Sequence, residues 1–387
     1  MSREAFKVHI PDEVLEDLRE RLRRTRWPHD FANQDWRYGT NLDYLRDLVD
    51  HWINKFDWRR IEAKINSFSN YKTEIDGIPI HFILEPGKGP KPMPLIVTHG
   101  WPWTFWDINK VIRPLADPGA HGGDPRDAFD VVVPSLPGYG FSTPLTKPGI
   151  NYWRTADLWV TLMQDVLGYK KFAAQGGDWG SIITHQLGHK HADKLIGVHM
   201  NLAIDLNLWG GKFPAASEYA PDEQGWHERS MRFMTDGSGY SAIQTTRPQT
   251  LAYAMNDSPA GLCAWILEKR RAWSDCDGDV EKRFTKDELL ATMTLYWATE
   301  SYGTSARFYY EAVHERWQPS HERKPVIEAP TALAVFPKEV ILMPHKWAEG
   351  YYNLKRWTRF PSGGHFAHME EPQALVDDIH TFFRTLR

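Results

Sequence analysis

Apolar residues recur at helical spacing at Val14, Leu15, Leu18 and Leu22, after Pro11 and two acids, and arginines gather toward the end of the same stretch. This predicts an amphipathic helix that must lie on something. A second helical stretch is predicted over about 42–65, carrying Trp52, Phe56 and Trp58. Residues 1–70 therefore read as a helical meander clamped over a larger body. In "YKTEIDGIPIHFIL" apolar and polar positions alternate around Asp76-Gly77, which predicts a two-residue hairpin turn. The pattern then changes to short apolar runs, "PLIVTHG", "FDVVVPSLPG", "KFAAQGG" and "LIGVHMNLA", ending in Gly or Pro and separated by helix-length segments. Such runs are buried parallel strands joined by crossovers, so residues 71–206 predict the first part of a doubly wound α/β sheet. Over 207–330 the alternation stops and aromatic-rich helices follow, one predicted from Thr285, with Thr285 and Glu288 as a capping box, on toward Tyr309. "TALAVFPKE" and "YNLKRWTRFP" resume the sheet within 331–387, which makes 207–330 a helical cap inserted before the last strands.

Composition narrows the class. The 387 residues are 42% hydrophobic and 25% charged, ordinary for a globular protein large enough for one big core with an inserted unit. The 18 tryptophans point to thick aromatic packing and to an aromatic-walled pocket. Net charge is −4 and basic residues are scattered among acids, so nucleic acid is not expected as a partner. Two cysteines without zinc-type spacing argue against a disulfide framework and a structural metal. The chain opens without an apolar leader-like run, and no apolar stretch approaches the roughly 18 residues of a membrane span. A cytoplasmic protein is expected, with a homodimer left open.

The stretch "AAQGGDWGSI" has the form of a strand-to-helix elbow, with small residues on both sides of an exposed position. Such an elbow usually carries serine in the frame GxSxG; here Asp178 stands there. Taken alone, Gly-Gly-Asp is a helix cap after a tight turn. Two partners elsewhere favour a catalytic reading: Glu339 directly follows one late strand, and His365 lies in a Gly-Gly loop after the last, giving the chain order nucleophile, acid, base. Glu349, ten residues past the strand end, is a rival acid, and His368 a rival base. An oxyanion site needs two amides, one following the nucleophile and one from the loop after an earlier strand. Trp179 and Trp101, the latter in the sharp His99-Gly100-Trp101-Pro102 turn, are the candidates.

"HGWP", "VVPSLPGYGFS", "QGGDWGS", "FMTDGSGYSAIQTTRP" and "SGGHFA", with the N-terminal "FDWRRIEAKINSF", together resemble the microsomal-type epoxide hydrolases and their soluble microbial relatives over nearly the whole chain. The resemblance implies an α/β-hydrolase fold. It also implies Asp178 as nucleophile, His365 as base, Glu339 as the acid that orients it, and Tyr240 and Tyr309 of the cap as proton donors. Tyr310 and Tyr302 are the neighbours with which Tyr309 competes. It further implies a small-molecule epoxide as substrate, a vicinal diol as product, and no cofactor. One departure is Trp103, where the family usually has Gly after HGWP.

The chemistry of the residue supports that implication. A serine attacks a carbonyl, whereas an aspartate can attack a saturated carbon and leave an ester whose carbonyl belongs to the enzyme. Two rivals remain. A haloalkane dehalogenase shares the elbow Asp-Trp and the hydrolytic second step but releases halide, and a binding protein on the same scaffold would lack turnover.

Overall fold

The computed structural model describes residues 2–387. Its centre is a nine-stranded sheet built from β1 (Glu4–Ala5), β2 (Asn70–Ile75), β3 (Ile78–Glu85), β4 (Met93–Thr98), β5 (Phe129–Pro134), β6 (Phe172–Gly176), β7 (Leu195–Met200), β8 (Ile327–Val335) and β9 (Tyr352–Arg359). The spatial order is β1-β2-β3-β5-β4-β6-β7-β8-β9. The three strands at one edge pair antiparallel, and β5 through β9 form the parallel part. This is the α/β-hydrolase fold. The inner strands are buried over nearly their whole length, as expected of parallel strands covered on both faces. The hairpin turn falls at Asp76 (φ 53°) and Gly77 (φ 71°), both left-handed, with Ile75 opposite Ile78.

Chain direction across the sheet reverses at β4. From β4 the chain moves outward to β5, then crosses back to β6 on the other side. The carboxyl ends of β4 and β6 therefore flank a topological switch point, where open α/β sheets place ligands. The loops leaving these two strands carry His99–Thr104 and Gly177–Asp178.

Several elements differ from the sequence expectation. The helical stretch over 42–65 is two helices, Leu42–Asn54 and Trp58–Ile65, because Asp57 accepts a hydrogen bond from the Arg59 N–H and restarts the helix. The helix from Thr285 has the expected capping box but ends at Ala298; Glu300 turns left-handed (φ 53°), and a second helix, Tyr302–His314, carries Tyr309. The sheet resumes at Ile327, four residues before the predicted "TALAV" run, because Glu328 and Pro330 interrupt an otherwise buried strand and mask its start. The two-residue β1 was not predicted; it is too short to leave a periodic signal.

Between β7 and β8 lie helices packed against one another and against the N-terminal helices Asp12–Arg23 and Leu42–Asn54. The helix Pro259–Trp273 is the one that matters most for the site, since it runs from the N-terminal meander to the sheet edge.

Candidate active site

Asp178 stands between β6 and the helix Trp179–Lys190 at φ 53°, ψ −127°. A non-glycine residue held there stores on the order of 1–3 kcal/mol of strain. The neighbours must be small: a Cβ on Gly176 would lie 2.2 Å from the Gly180 backbone, and one on Gly180 would lie 1.9 Å from the Thr98 carbonyl. Asp178 sits at the N-cap position, yet its side chain makes no capping hydrogen bond. Instead Oδ1 accepts the Trp101 N–H at 2.7 Å, and Oδ2 lies 3.4 Å from His365 Nε2.

His365 is fixed from behind. Its N–H donates to the Trp273 carbonyl at 2.9 Å, and the Gly363 N–H donates to Asp275 Oδ2 at 2.9 Å. Glu339, just past β8, places Oε1 2.6 Å from His365 Nδ1 and accepts the Val340 N–H at 2.6 Å with the same oxygen. The side chains of His365 and Glu339 are 1% and 2% exposed. Burial alone disfavours a charged imidazole, but the negative charge of Glu339, the Asp178 carboxylate 3.4 Å away and the hydrogen bond to Glu339 outweigh it and raise His365 to about 10. His368, the rival base, is lowered to about 3 by burial and by His199, and its Nε2 is bonded to Gln175. Glu349 is 60% exposed and faces His345, away from the imidazole.

The loop after β4 turns through a cis Trp101–Pro102 peptide. Trp179, as the first residue of its helix, has no intrahelical acceptor for its N–H. Trp103, the departure noted in the sequence, is fully buried beneath the elbow, edge-on to His365 with centroids 5.6 Å apart. A Cβ on Gly177 would meet its ring at 2.8 Å, so the indole fills space beside the elbow.

Tyr240 and Tyr309 are brought together above Asp178. Their rings are 5.9 Å apart and nearly perpendicular; Tyr240 stacks on Trp101 at 4.9 Å, and Tyr309 meets Trp179 edge-on at 4.8 Å. Burial pushes both phenols well above the ordinary tyrosine range, and the Asp178 carboxylate adds to the effect on each. Both remain neutral donors. The competing tyrosines are engaged elsewhere: Tyr310 stacks on His314, and the Tyr302 hydroxyl donates to Gln244. A cleft of about 640 Å³ lined by Trp226, Arg229, Phe233, Lys338 and Val340 ends at Trp273, whose ring lies against His365 and Tyr240.

Sequence reasoning missed several residues that hold these groups in place. Arg229 donates to the Lys338 and Glu339 carbonyls, and the Tyr296 hydroxyl donates to the Trp103 carbonyl at 2.8 Å. The Glu370 carboxylate bridges the Asp275 and Phe366 amides, and burial raises it to about 7. None stands in a motif, and Arg229 lies in a charged helical stretch that looks solvated.

Residues 3–108 match the family profile described as epoxide hydrolase N terminus, and residues 93–220 match alpha/beta hydrolase fold. Relatives include a protein of Stigmatella aurantiaca (strain DW4/3-1), 42% identical over 383 residues, covering 99% of this chain and 85% of that one. Epoxide hydrolase 1 of Oryctolagus cuniculus is 35% identical over 97% of this chain and 88% of its own length. The structure of Aspergillus niger epoxide hydrolase superposes with a TM-score of 0.87 at 31% identity, covering 100% of this chain and 97% of that one.

Proposed function

Since the chain belongs to the epoxide hydrolase family, we propose that it converts a small-molecule epoxide and water to a vicinal diol through a covalent ester on Asp178. The observation that carries this reading is the pair of buried neutral phenols, Tyr240 and Tyr309, packed together within reach of the Asp178 charge. With Oδ1 held by the Trp101 amide, Oδ2 is the free nucleophile. It attacks a ring carbon, the C–O bond breaks, and the departing oxygen takes a proton from one phenol.

Esterification removes the Asp178 charge. His365 then loses one of the two carboxylates that raise it, so its proton passes to the tyrosinate and the neutral ring becomes a base. His365 takes a proton from water, and the hydroxide formed attacks the ester carbon. Negative charge develops on Oδ1, where the Trp101 and Trp179 amides receive it. Glu339 holds the imidazole tautomer and stabilises the imidazolium. Collapse breaks the Cγ–Oδ2 bond, and the departing oxygen takes the proton of the newly added hydroxyl, which releases the diol, restores the carboxylate and leaves His365 protonated as it began. No metal or organic cofactor is required for these steps.

A haloalkane dehalogenase would need donors for a halide. The indole N–H groups of Trp101 and Trp179 are buried and have no acceptor. The phenols fit an alkoxide that must be protonated. Incubation with styrene oxides and with 1-haloalkanes separates the readings: diol without halide is expected, and halide without diol would overturn the epoxide assignment. Binding of epoxide with no turnover would instead indicate a binding protein.

A further inference from the structure

Arg270, on the cap helix Pro259–Trp273, is 2% exposed, and the catalytic scheme above gives it no role. A buried cation is costly to retain unless its whole surroundings are arranged for it. Nη2 donates to Asp107 Oδ1 at 2.6 Å, to the Pro102 carbonyl at 3.1 Å and to Thr292 Oγ1 at 3.4 Å. The guanidinium carbon lies 4.3 Å over the ring of Phe366, the residue after His365. Asp107 in turn accepts the Thr104 N–H at 2.7 Å, which fixes the far end of the turn that begins at Trp101. One buried cation thus touches both the loop that supplies the Trp101 amide and the loop that supplies the base.

We propose that Arg270 is a positioning residue for the second half-reaction: it sets the Trp101 amide and the His365 imidazole in register with each other. The inference rests on the ester mechanism proposed above. The physical reason for its selectivity is the movement of charge. When Asp178 is alkylated its carboxylate loses charge, so the Trp101 amide gains nothing in that transition state. When the ester is hydrolysed an oxyanion forms on Oδ1, and the same amide bond strengthens. His365 acts as a base only in that step. Misplacement of both loops therefore slows hydrolysis and leaves alkylation, which depends on the phenols, largely alone.

The alternative is that Arg270 merely docks the cap. Loss of docking would displace Tyr240 and Tyr309 and slow alkylation at least as much. The two roles are separated by rapid-quench single turnovers of an epoxide, with the alkyl-enzyme quantified by intact mass, on wild type, Arg270→Met and Arg270→Lys. Arg270→Lys keeps the charge and serves if Arg270→Met does not fold; circular dichroism and Tm establish which variants are folded. Hydrolysis slowed tenfold or more, alkylation within about threefold and accumulation of the ester are expected of Arg270→Met, with partial recovery in Arg270→Lys. Equal loss in both steps, or loss confined to alkylation, overturns the proposal. Absence of any alkyl-enzyme in wild type would overturn the ester mechanism itself, a separate result.

Discussion

Gly100→Ala is a small change with a large expected effect. A Cβ on Gly100 would lie 2.2 Å from Asp178 Oδ1, 2.4 Å from its Cβ and 2.6 Å from its Cγ. Ordinary contact begins near 3.4 Å, so the methyl and the carboxylate must part by about 1 Å. Asp178 Cβ is fixed to the elbow backbone and has little room to yield, so most of the shift falls on the carboxylate and on the loop that bears the Trp101 amide. The 2.7 Å bond between that amide and Oδ1 is lost. A misplacement of about 1 Å at reacting atoms costs on the order of 100-fold in rate. Loss of a donor to the later oxyanion costs on the order of 3 kcal/mol, a further factor of about 100 in hydrolysis. Overpacking should lower stability by about 1–3 kcal/mol without unfolding the chain. The assay is stopped-flow tryptophan fluorescence under single turnover, reading ester formation and decay. Expected are alkylation down about 100-fold and hydrolysis down further still, in a folded protein. Alkylation within threefold of wild type would refute the reasoning.

Other perturbations separate the two half-reactions. Tyr240→Phe and Tyr309→Phe should each slow alkylation about 10- to 100-fold, because the partner phenol remains, and leave ester decay unchanged; the double variant should lose about 10³-fold or more. Equal slowing of ester decay would contradict donor roles. Glu339→Gln should slow ester decay on the order of 10²–10⁴-fold while alkylation persists, seen as accumulated alkyl-enzyme by mass. The folded-state value of about 10 for His365 lies above the ordinary 6.5, so its contribution to stability is fully present below pH 6.5 and is lost as pH rises toward 10. Denaturant unfolding at pH 6.5 and 9.5 should show wild type losing several kcal/mol more than His365→Gln; parallel losses would refute the charged imidazole.

Much of the candidate site was legible because its signals are local. The Gly-Gly-Asp-Trp-Gly frame requires small residues where the elbow touches the β4 backbone, and Gly180 against Thr98 shows why. Post-strand loops give Glu339 and His365 in order, and the Asp76-Gly77 turn fixes its own geometry. What escaped was tertiary. Asp57 breaks one predicted helix and Glu300 another, since the apolar period runs on through both breaks. Trp103 stands out in the sequence as a departure, but that its indole lies against Gly177 is a direction no spacing reveals. Arg270 sits in the run Lys269-Arg270-Arg271, which has the composition of a solvated helix end, and only packing shows that its first two members are buried.

The central claim is that the substrate becomes covalently attached to the Asp178 carboxylate. It is tested most directly by one turnover with enzyme in excess in water enriched in heavy oxygen, followed by peptide mass analysis of the segment around Asp178. The account predicts label in the Asp178 carboxylate and ordinary oxygen in both hydroxyls of the diol. Label in the diol with none in the peptide would mean that water attacks the epoxide directly and would contradict it.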